Sequence, residues 1–229
     1  MRDVDELGYD PTDPAFERRW RVRGLMGLNR LYGRGFHRLS VLNRPDVPAV
    51  GPVLIAANHA SGLDPMLIQT VVTRPIAWMV TSEYFDLPGL RTLFRRTGCI
   101  RVDREKVDSA SVKQALRTLR GGRVVGIFPE GRIERTSRLL ELRPGAGRLA
   151  MQAGCPVLPA WVDGDMRPRP GEDSSVSDVC LKPRRAAVAF GPLMPPPARR
   201  GGGDFEAELA AELGRLRGLT RRAVGERRP

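Results

Sequence analysis

Short apolar runs alternate with longer amphipathic stretches over most of the chain. The apolar runs are typical of buried strands, and they lie within 53–59, 76–85, 99–105, 123–131, 155–162 and 185–194. Helical patterns follow them, within 64–72, 86–98, 108–122, 144–154 and 204–225. Strands that alternate with helices predict an α/β fold whose central sheet is mostly parallel and flanked by helices.

Two helices carry clear start signals. Asp64 followed by Pro65 predicts an N-cap and a first helical residue. Asp108 predicts a second cap, and the glycines at 121 and 122 end that helix.

The N-terminal part of the chain differs from the α/β pattern. Residues 16–42 mix aromatic and aliphatic side chains with many arginines and are interrupted by glycines. This mixture predicts a basic amphipathic helical region, which fits either a membrane surface or packing on the domain core. We therefore divide the chain into an N-terminal lead and basic helical region (1–42), an α/β domain (43–199) and a C-terminal helix packed on that domain (200–229).

Composition narrows the classes of function. The formal net charge is +12, and only three of the 38 basic residues are lysines, so the surface attracts polyanions. No nucleic-acid motif or pattern of aromatic and basic residues is present, so nucleic acid is not the expected partner. No run of about 18 apolar residues occurs, so no membrane-spanning helix is predicted.

Cysteine usage and the N-terminus indicate a reducing compartment. Cys99, Cys155 and Cys180 are odd in number and widely spaced, which matches neither a disulfide framework nor a zinc site. The first residues are acidic and interrupted by prolines, without the apolar segment of a secretory leader.

The first candidate for chemistry is the pair His59 and Asp64. Residues five apart on a helix are separated by about 140° around its axis, so these side chains meet only if residues 60–63 form a turn. The pair is then either a base with its orienting carboxylate or a helix start beside an uninvolved imidazole. A metal site is disfavoured because no third histidine or cysteine ligand is near.

The sequence offers no protein nucleophile for this histidine. The motif G-x-S-x-G is absent, and Ser61 is better placed to shape the turn than to react. A base at His59 would therefore act on a hydroxyl group of the substrate.

Two more polar clusters follow predicted strands. One consists of Gly98, Asp103 and Arg104, and the other of Glu130, Gly131 and Arg132. In a parallel sheet these strand ends and His59 open on the same edge, where a base, a guanidinium group and a carboxylate–glycine turn converge on one crevice.

The segments NHASGLDP, GCIRVDRE, FPEGR and CPVLPAWV, in this order, resemble the four blocks of the glycerolipid acyltransferase family, typified by 1-acylglycerol-3-phosphate acyltransferase. The resemblance covers about residues 52–162. It implies transfer of a fatty acyl group from acyl-CoA or acyl-carrier protein to a hydroxyl group of a lysophospholipid. It implies no cofactor besides this donor, no metal and no covalent acyl-enzyme.

The resemblance also implies residue roles. His59 would be the general base and Asp64 its orienting carboxylate, while Arg104 would contact the phosphate of the acceptor. Glu130 and Gly131 would shape the acceptor site. The supporting positions within the blocks are Asn58, Ser61, Gly98, Asp103, Pro129 and Pro159.

One departure from the family pattern concerns the acceptor. The family usually continues Phe-Pro-Glu-Gly with Thr-Arg-Ser, whereas this chain has Arg132, Ile133 and Glu134. Either Arg132 or Arg135 reaches the same phosphate from a shifted position, or the acceptor differs. Another lysophospholipid, a lyso-ornithine lipid and a glycolipid therefore stay open.

A lipid acyltransferase without a spanning helix must take its acceptor at the bilayer surface. The expected location is thus cytoplasmic and peripheral, on the anionic inner face of the cell membrane, with contacts from 16–42 and 86–96. Two alternatives remain: a non-catalytic basic module that binds anionic lipid or nucleic acid, and a hydrolase of thioesters.

Overall fold

Within the described residues of the computed structural model, seven strands form one sheet. The structure describes residues 14–103, 109–133, 139, 141–164, 183, 185–198 and 204–225. The strands are β1 (Leu39–Val41), β2 (Val53–Ala57), β3 (Ile76–Thr81), β4 (Ile100–Val102), β5 (Val124–Ile127), β6 (Val157–Gly164) and β7 (Ala186–Phe190). Their order across the sheet is β1-β7-β6-β2-β5-β3-β4.

The sheet is mostly parallel, as predicted. Strands β2 to β6 run in one direction, so their carboxyl ends share one edge of the sheet. Strand β7 is antiparallel to β6, and β1 is parallel to β7, so these two strands run the opposite way.

Helices cover both faces of the sheet. They are α1 (Trp20–Leu31), α2 (Asp64–Val71), α3 (Ser82–Phe85), α4 (Leu90–Thr97), α5 (Ser109–Arg120), α6 (Ala146–Ala153) and α7 (Phe205–Val224). Helices α2, α3 and α4 contribute to the core on one face, and α5, α6 and α7 to the core on the other. Within β2, Ile55 packs into the first core and Leu54 into the second, which is the alternation of a central strand.

The N-terminal region is less helical than the sequence predicts. Helix α1 ends at Leu31, a π-helical turn covers Tyr32–Phe36, and β1 follows. Gly33 lies in that turn, where an added Cβ atom would be 2.3 Å from the Oγ1 atom of Thr70 in α2. The glycine thus permits a close approach to α2, and the chain then turns into an edge strand that no local pattern indicates.

A buried arginine joins several segments at the amino ends of the strands. The guanidinium group of Arg74 donates to both carboxylate oxygens of Glu17, each at 3.0 Å. It also donates to the carbonyl oxygens of Pro48, Gly51 and Gly122. Arg74 therefore holds the 3₁₀ turn Pro14–Arg18 and two loops together at this end of the sheet.

The C-terminal helix packs on the domain, against β6 and β7. Leu209, Leu213 and Leu216 are buried along one face of α7. The side chain of Asp204 accepts a hydrogen bond from the backbone N–H of Ala207, which caps the helix. The cap predicted at Asp108 lies outside the described residues.

Candidate functional site

His59 and Asp64 meet across the turn that follows β2. The Nδ1 atom of His59 is 3.0 Å from the Oδ2 atom of Asp64. The same oxygen accepts hydrogen bonds from the backbone N–H groups of Ala60, at 2.7 Å, and Ser61, at 2.8 Å. Asp64 is only 1% exposed, whereas the side chain of His59 is 15% exposed. A buried carboxylate thus holds an imidazole that solvent still reaches.

The predicted N-cap at Asp64 is wrong in detail. Helix α2 begins at Asp64 itself, with Leu63 in the cap position and no side-chain cap. The carboxylate points back to the preceding turn because Ala60 and Ser61 present their N–H groups to it there. The hydroxyl oxygen of Ser61 accepts from the backbone of Leu63 at 3.2 Å, so Ser61 shapes this turn.

Asn58 fixes the position of the residue before His59. Its side-chain amide donates to the carbonyl oxygen of Val162 at 2.9 Å, and its oxygen accepts from the N–H of Val162 at 2.7 Å. The side chain therefore continues the pairing of β2 with β6 beyond the last strand residue. Pro159 lies in the same strand β6, opposite Ala56 of β2.

An aromatic stack supports the imidazole. The ring of His59 lies against that of Phe128, with 3.9 Å between centroids and 10° between planes. Phe128 lies in turn against Trp78 of β3, at 4.8 Å and 8°. These contacts arise because β2, β5 and β3 are neighbours in the sheet. Sequence reasoning missed both residues, although Phe128 precedes the Pro-Glu-Gly segment directly.

Gly126 makes room for this stack. A Cβ atom at Gly126 would lie 2.4 Å from a ring carbon of Trp78, far closer than two carbon atoms can approach. The indole ring therefore rests directly on the backbone of β5.

The segment Phe128–Gly131 forms a turn at the end of β5, and we call it the glutamate–glycine turn. The N–H of Gly131 donates to the carbonyl oxygen of Phe128 at 3.0 Å, and Gly131 has φ +70°. Pro129 and Glu130 are buried, and Arg132 is exposed. The guanidinium group of Arg143, another residue that sequence reasoning missed, lies over Gly131.

Gly98 is not part of this edge of the sheet, so its predicted place beside the site is wrong. It ends α4 with φ +74° and precedes β4, at the amino ends of the strands. A Cβ atom there would be 3.0 Å from the guanidinium nitrogens of Arg123, which precedes β5. Gly98 ends the helix α4 in the left-handed backbone conformation. The strand predicted for its segment does not reveal this role.

Asp103 follows β4 at the same edge as His59 but farther away. Strand β3 separates β4 from β5, so about 10 Å lies between the ends of β4 and β5. Arg104 and Arg135 lie outside the described residues. The structure thus brings together His59, Asp64 and the glutamate–glycine turn, and it places Asp103 at the outer end of this edge.

The acyltransferase family model matches residues 38–163, which include the His59–Asp64 pair and the glutamate–glycine turn. The chain belongs to the acyltransferase family. The fold agrees with this assignment. A crystal structure of the 1-acyl-sn-glycerophosphate acyltransferase PlsC from Thermotoga maritima superposes with a TM-score of 0.69 at 17% identity, over 91% of this chain and 83% of that one.

Curated acyltransferases are similar in sequence. The 1-acyl-sn-glycerol-3-phosphate acyltransferase of Bacillus subtilis is 29% identical over 55% of this chain and 63% of its own. A probable enzyme of the same name from Mycoplasma pneumoniae is 28% identical over 68% of this chain and 59% of its own. The chain therefore spans about three fifths of the length of these two relatives.

Proposed function

We propose that the protein transfers a fatty acyl group from acyl-CoA or acyl-carrier protein to the hydroxyl group of a lysophospholipid, with 1-acylglycerol-3-phosphate as the main acceptor. The pairing of His59 with Asp64 carries the proposal. Asp64 occupies the Nδ1 side of the imidazole, which leaves Nε2 to accept a proton from a bound hydroxyl group. The similarity to 1-acyl-sn-glycerol-3-phosphate acyltransferases favours the phosphate-bearing acceptor.

The reaction then needs no covalent enzyme intermediate. Nε2 of His59 takes the hydroxyl proton as the acceptor oxygen attacks the thioester carbonyl carbon. The tetrahedral intermediate collapses, the carbon–sulfur bond breaks, and the imidazolium returns the proton to the leaving thiolate. The Asp64 carboxylate stabilises the imidazolium and fixes its tautomer, as the aspartate of a serine-protease triad does.

The acceptor site lies beside the glutamate–glycine turn in this proposal. The turn adjoins His59 through Phe128, so an acceptor bound along it presents its hydroxyl group near Nε2. Glu130 and Gly131 shape this site, and Arg132 is exposed at its rim. Arg104 and Arg135 remain predicted phosphate contacts.

A peripheral membrane location accompanies this function. Trp20 is 75% exposed, Leu28 is 64% exposed and Leu31 is 70% exposed. At 100° per residue these three side chains share the outward side of α1, and we call them the α1 apolar stripe. Exposed apolar side chains next to arginines favour an anionic bilayer over packing on the core.

The inner face of the cell membrane is the expected surface. Leu87 and Leu93, in the second predicted contact segment, are also exposed. In the part of the chain that the structure describes, no helix is long and apolar enough to cross a bilayer.

The decisive experiment compares the native protein with His59→Ala. The assay supplies labelled long-chain acyl-CoA or acyl-carrier protein with 1-acylglycerol-3-phosphate and resolves the lipid products by mass spectrometry. We expect native protein to form the diacyl product, and His59→Ala to lose at least about 10³-fold in kcat while it keeps its circular dichroism spectrum and vesicle binding.

Other outcomes identify the alternatives. Full activity of His59→Ala would overturn the mechanism. Free fatty acid formed at the same rate with and without acceptor would indicate a thioester hydrolase. Vesicle binding by native protein without acyl transfer to any lyso-lipid would indicate a non-catalytic lipid-binding module.

A further inference from the structure

The side chain of Arg143 rests directly on the glutamate–glycine turn. A Cβ atom built on Gly131 would lie 2.9 Å from Nε and 3.0 Å from Cζ of Arg143. Any other residue at position 131 would therefore displace the guanidinium group. Gly131 meets two requirements at once, because its φ of +70° also disfavours residues with a side chain.

The backbone holds Arg143 at this place. Its N–H donates to the carbonyl oxygen of Pro129 at 3.0 Å, and its own carbonyl oxygen accepts from Gly145 at 2.6 Å, just before α6 begins. These hydrogen bonds fix the backbone of Arg143 beside the glutamate–glycine turn, which adjoins His59. The position of the guanidinium group is therefore set by the fold.

The charge of Arg143 is available to a ligand. The residue is exposed, and none of the ion pairs found among the described residues includes it. By contrast, Arg101 on the edge strand β4 is already paired with Asp86 at 2.7 Å. Arg143 is therefore a cation beside the proposed acceptor site without a carboxylate partner in the described part of the chain.

This position matters because the chain lacks the usual arginine of the family pattern. Where Thr-Arg-Ser would follow Phe-Pro-Glu-Gly, Ile133 occupies the place of the arginine. A guanidinium group can donate two parallel hydrogen bonds to a phosphate, so one well-placed arginine suffices for a specific contact.

We propose that Arg143 binds the phosphomonoester of a lysophosphatidate-type acceptor and replaces the arginine missing at position 133, with Gly131 as the spacer that admits it. The inference rests on the proposed function and names the acceptor class of the same site. It explains how a chain with an altered third block can still recognise a phosphate group.

The test compares two acceptors, 1-acylglycerol-3-phosphate and 1-acylglycerol, which differ only in the phosphate. We expect Arg143→Ala to raise KM for the phosphate-bearing acceptor about 10- to 100-fold, the range expected for lost hydrogen bonds to a charged group. KM for 1-acylglycerol and for acyl-CoA should stay within about twofold, and Arg143→Lys should restore part of the loss. Arg148→Ala, which removes an exposed arginine within α6, is the matched control and should change nothing.

A binding measurement separates this inference from the catalytic proposal. In a His59→Ala background, calorimetry with short-chain 1-acylglycerol-3-phosphate measures acceptor affinity without turnover, and adding Arg143→Gln should weaken binding at least tenfold. Equal losses for both acceptors, or unchanged binding, would overturn the role of Arg143 even if His59→Ala is inactive. A fully active His59→Ala variant would instead overturn the proposed mechanism.

Discussion

The imidazole ring of His59 lies parallel to the phenyl ring of Phe128, with their centroids 3.9 Å apart. Asp64 holds the Nδ1 atom of the same imidazole at 3.0 Å. The stacking contact restricts the plane of the ring and the hydrogen bond restricts its rotation within that plane, so Nε2 points in one direction. Trp78 stacks on Phe128 and supports it in turn.

Phe128→Leu should therefore lower kcat without weakening acceptor binding. A flexible aliphatic side chain leaves the imidazole free to tilt, and a misplacement of about 1 Å can cost on the order of 10²-fold in rate. We expect kcat to fall about 10- to 100-fold, with KM for the acceptor within about twofold, whereas Phe128→Tyr should keep most of the activity. A rise in KM at constant kcat would show that Phe128 contacts substrate instead.

Asp64→Asn should remove most of the activity and leave the fold intact. If the asparagine oxygen takes the Oδ2 position, it can still accept from Ala60, Ser61 and Nδ1 of His59, but the neutral amide no longer stabilises the imidazolium. If the amide nitrogen takes that position, it donates to Nδ1 and disfavours the tautomer with a proton there, and the corresponding change in a serine protease costs about 10⁴-fold. Steady-state kinetics and thermal denaturation are the measurements. An Asn variant with the native kcat would show that Asp64 only shapes the turn.

The sequence predicts those parts of the site that depend on local spacing. The interval between His59 and Asp64 requires a turn, and the order of strands and helices places Asp64 and the glutamate–glycine turn at one edge of a parallel sheet. The contact of Phe128 with His59 and that of Arg143 with Gly131 join residues far apart in sequence, so no local pattern reveals them.

The incorrect predictions for the N-terminal region and for Gly98 have a related physical origin. Strand β1 is three residues long and exists because β7, far along the chain, pairs with it. Gly98 lies two residues before β4, and only the end of α4 at Thr97 explains its left-handed backbone. In both cases a distant partner or a helix boundary decides the structure.

Membrane attachment should depend on the α1 apolar stripe. Replacing its three residues together (Trp20→Ser, Leu28→Ser, Leu31→Ser) should lower the apparent affinity for phosphatidylglycerol vesicles at least tenfold, because burial of one large apolar side chain contributes about 1.5–3 kcal/mol. Co-sedimentation measures the effect, and activity on dispersed short-chain acceptor should persist. Val50→Ser, which removes an equally exposed side chain elsewhere, is the control. Equal binding of the triple variant and the control would refute the assignment.

Cys155 should resist alkylation in the native protein. Burial raises the pKa of the Cys155 thiol from 9.0 to about 11, and burial also raises the pKa of Cys99. Because the raised pKa belongs to the folded state, the contribution of Cys155 to stability is constant below about pH 9 and is lost between pH 9 and 11. Iodoacetamide at pH 8 should label neither thiol before denaturation, as peptide mass spectrometry can show. Rapid labelling of Cys155 in native protein would contradict its burial.

The buried pair of Arg74 with Glu17 should stabilise the fold far more than the exposed pair of Arg101 with Asp86. Arg74→Met leaves the Glu17 carboxylate without its partner in a largely buried site, which typically costs about 3–5 kcal/mol. Three backbone carbonyl oxygens lose their donor in the same variant. Arg101→Met breaks a pair in which both side chains are nearly half exposed, so its urea midpoint should not move measurably. Equal shifts in the two urea unfolding curves would mean that Arg74 contributes only as a surface charge.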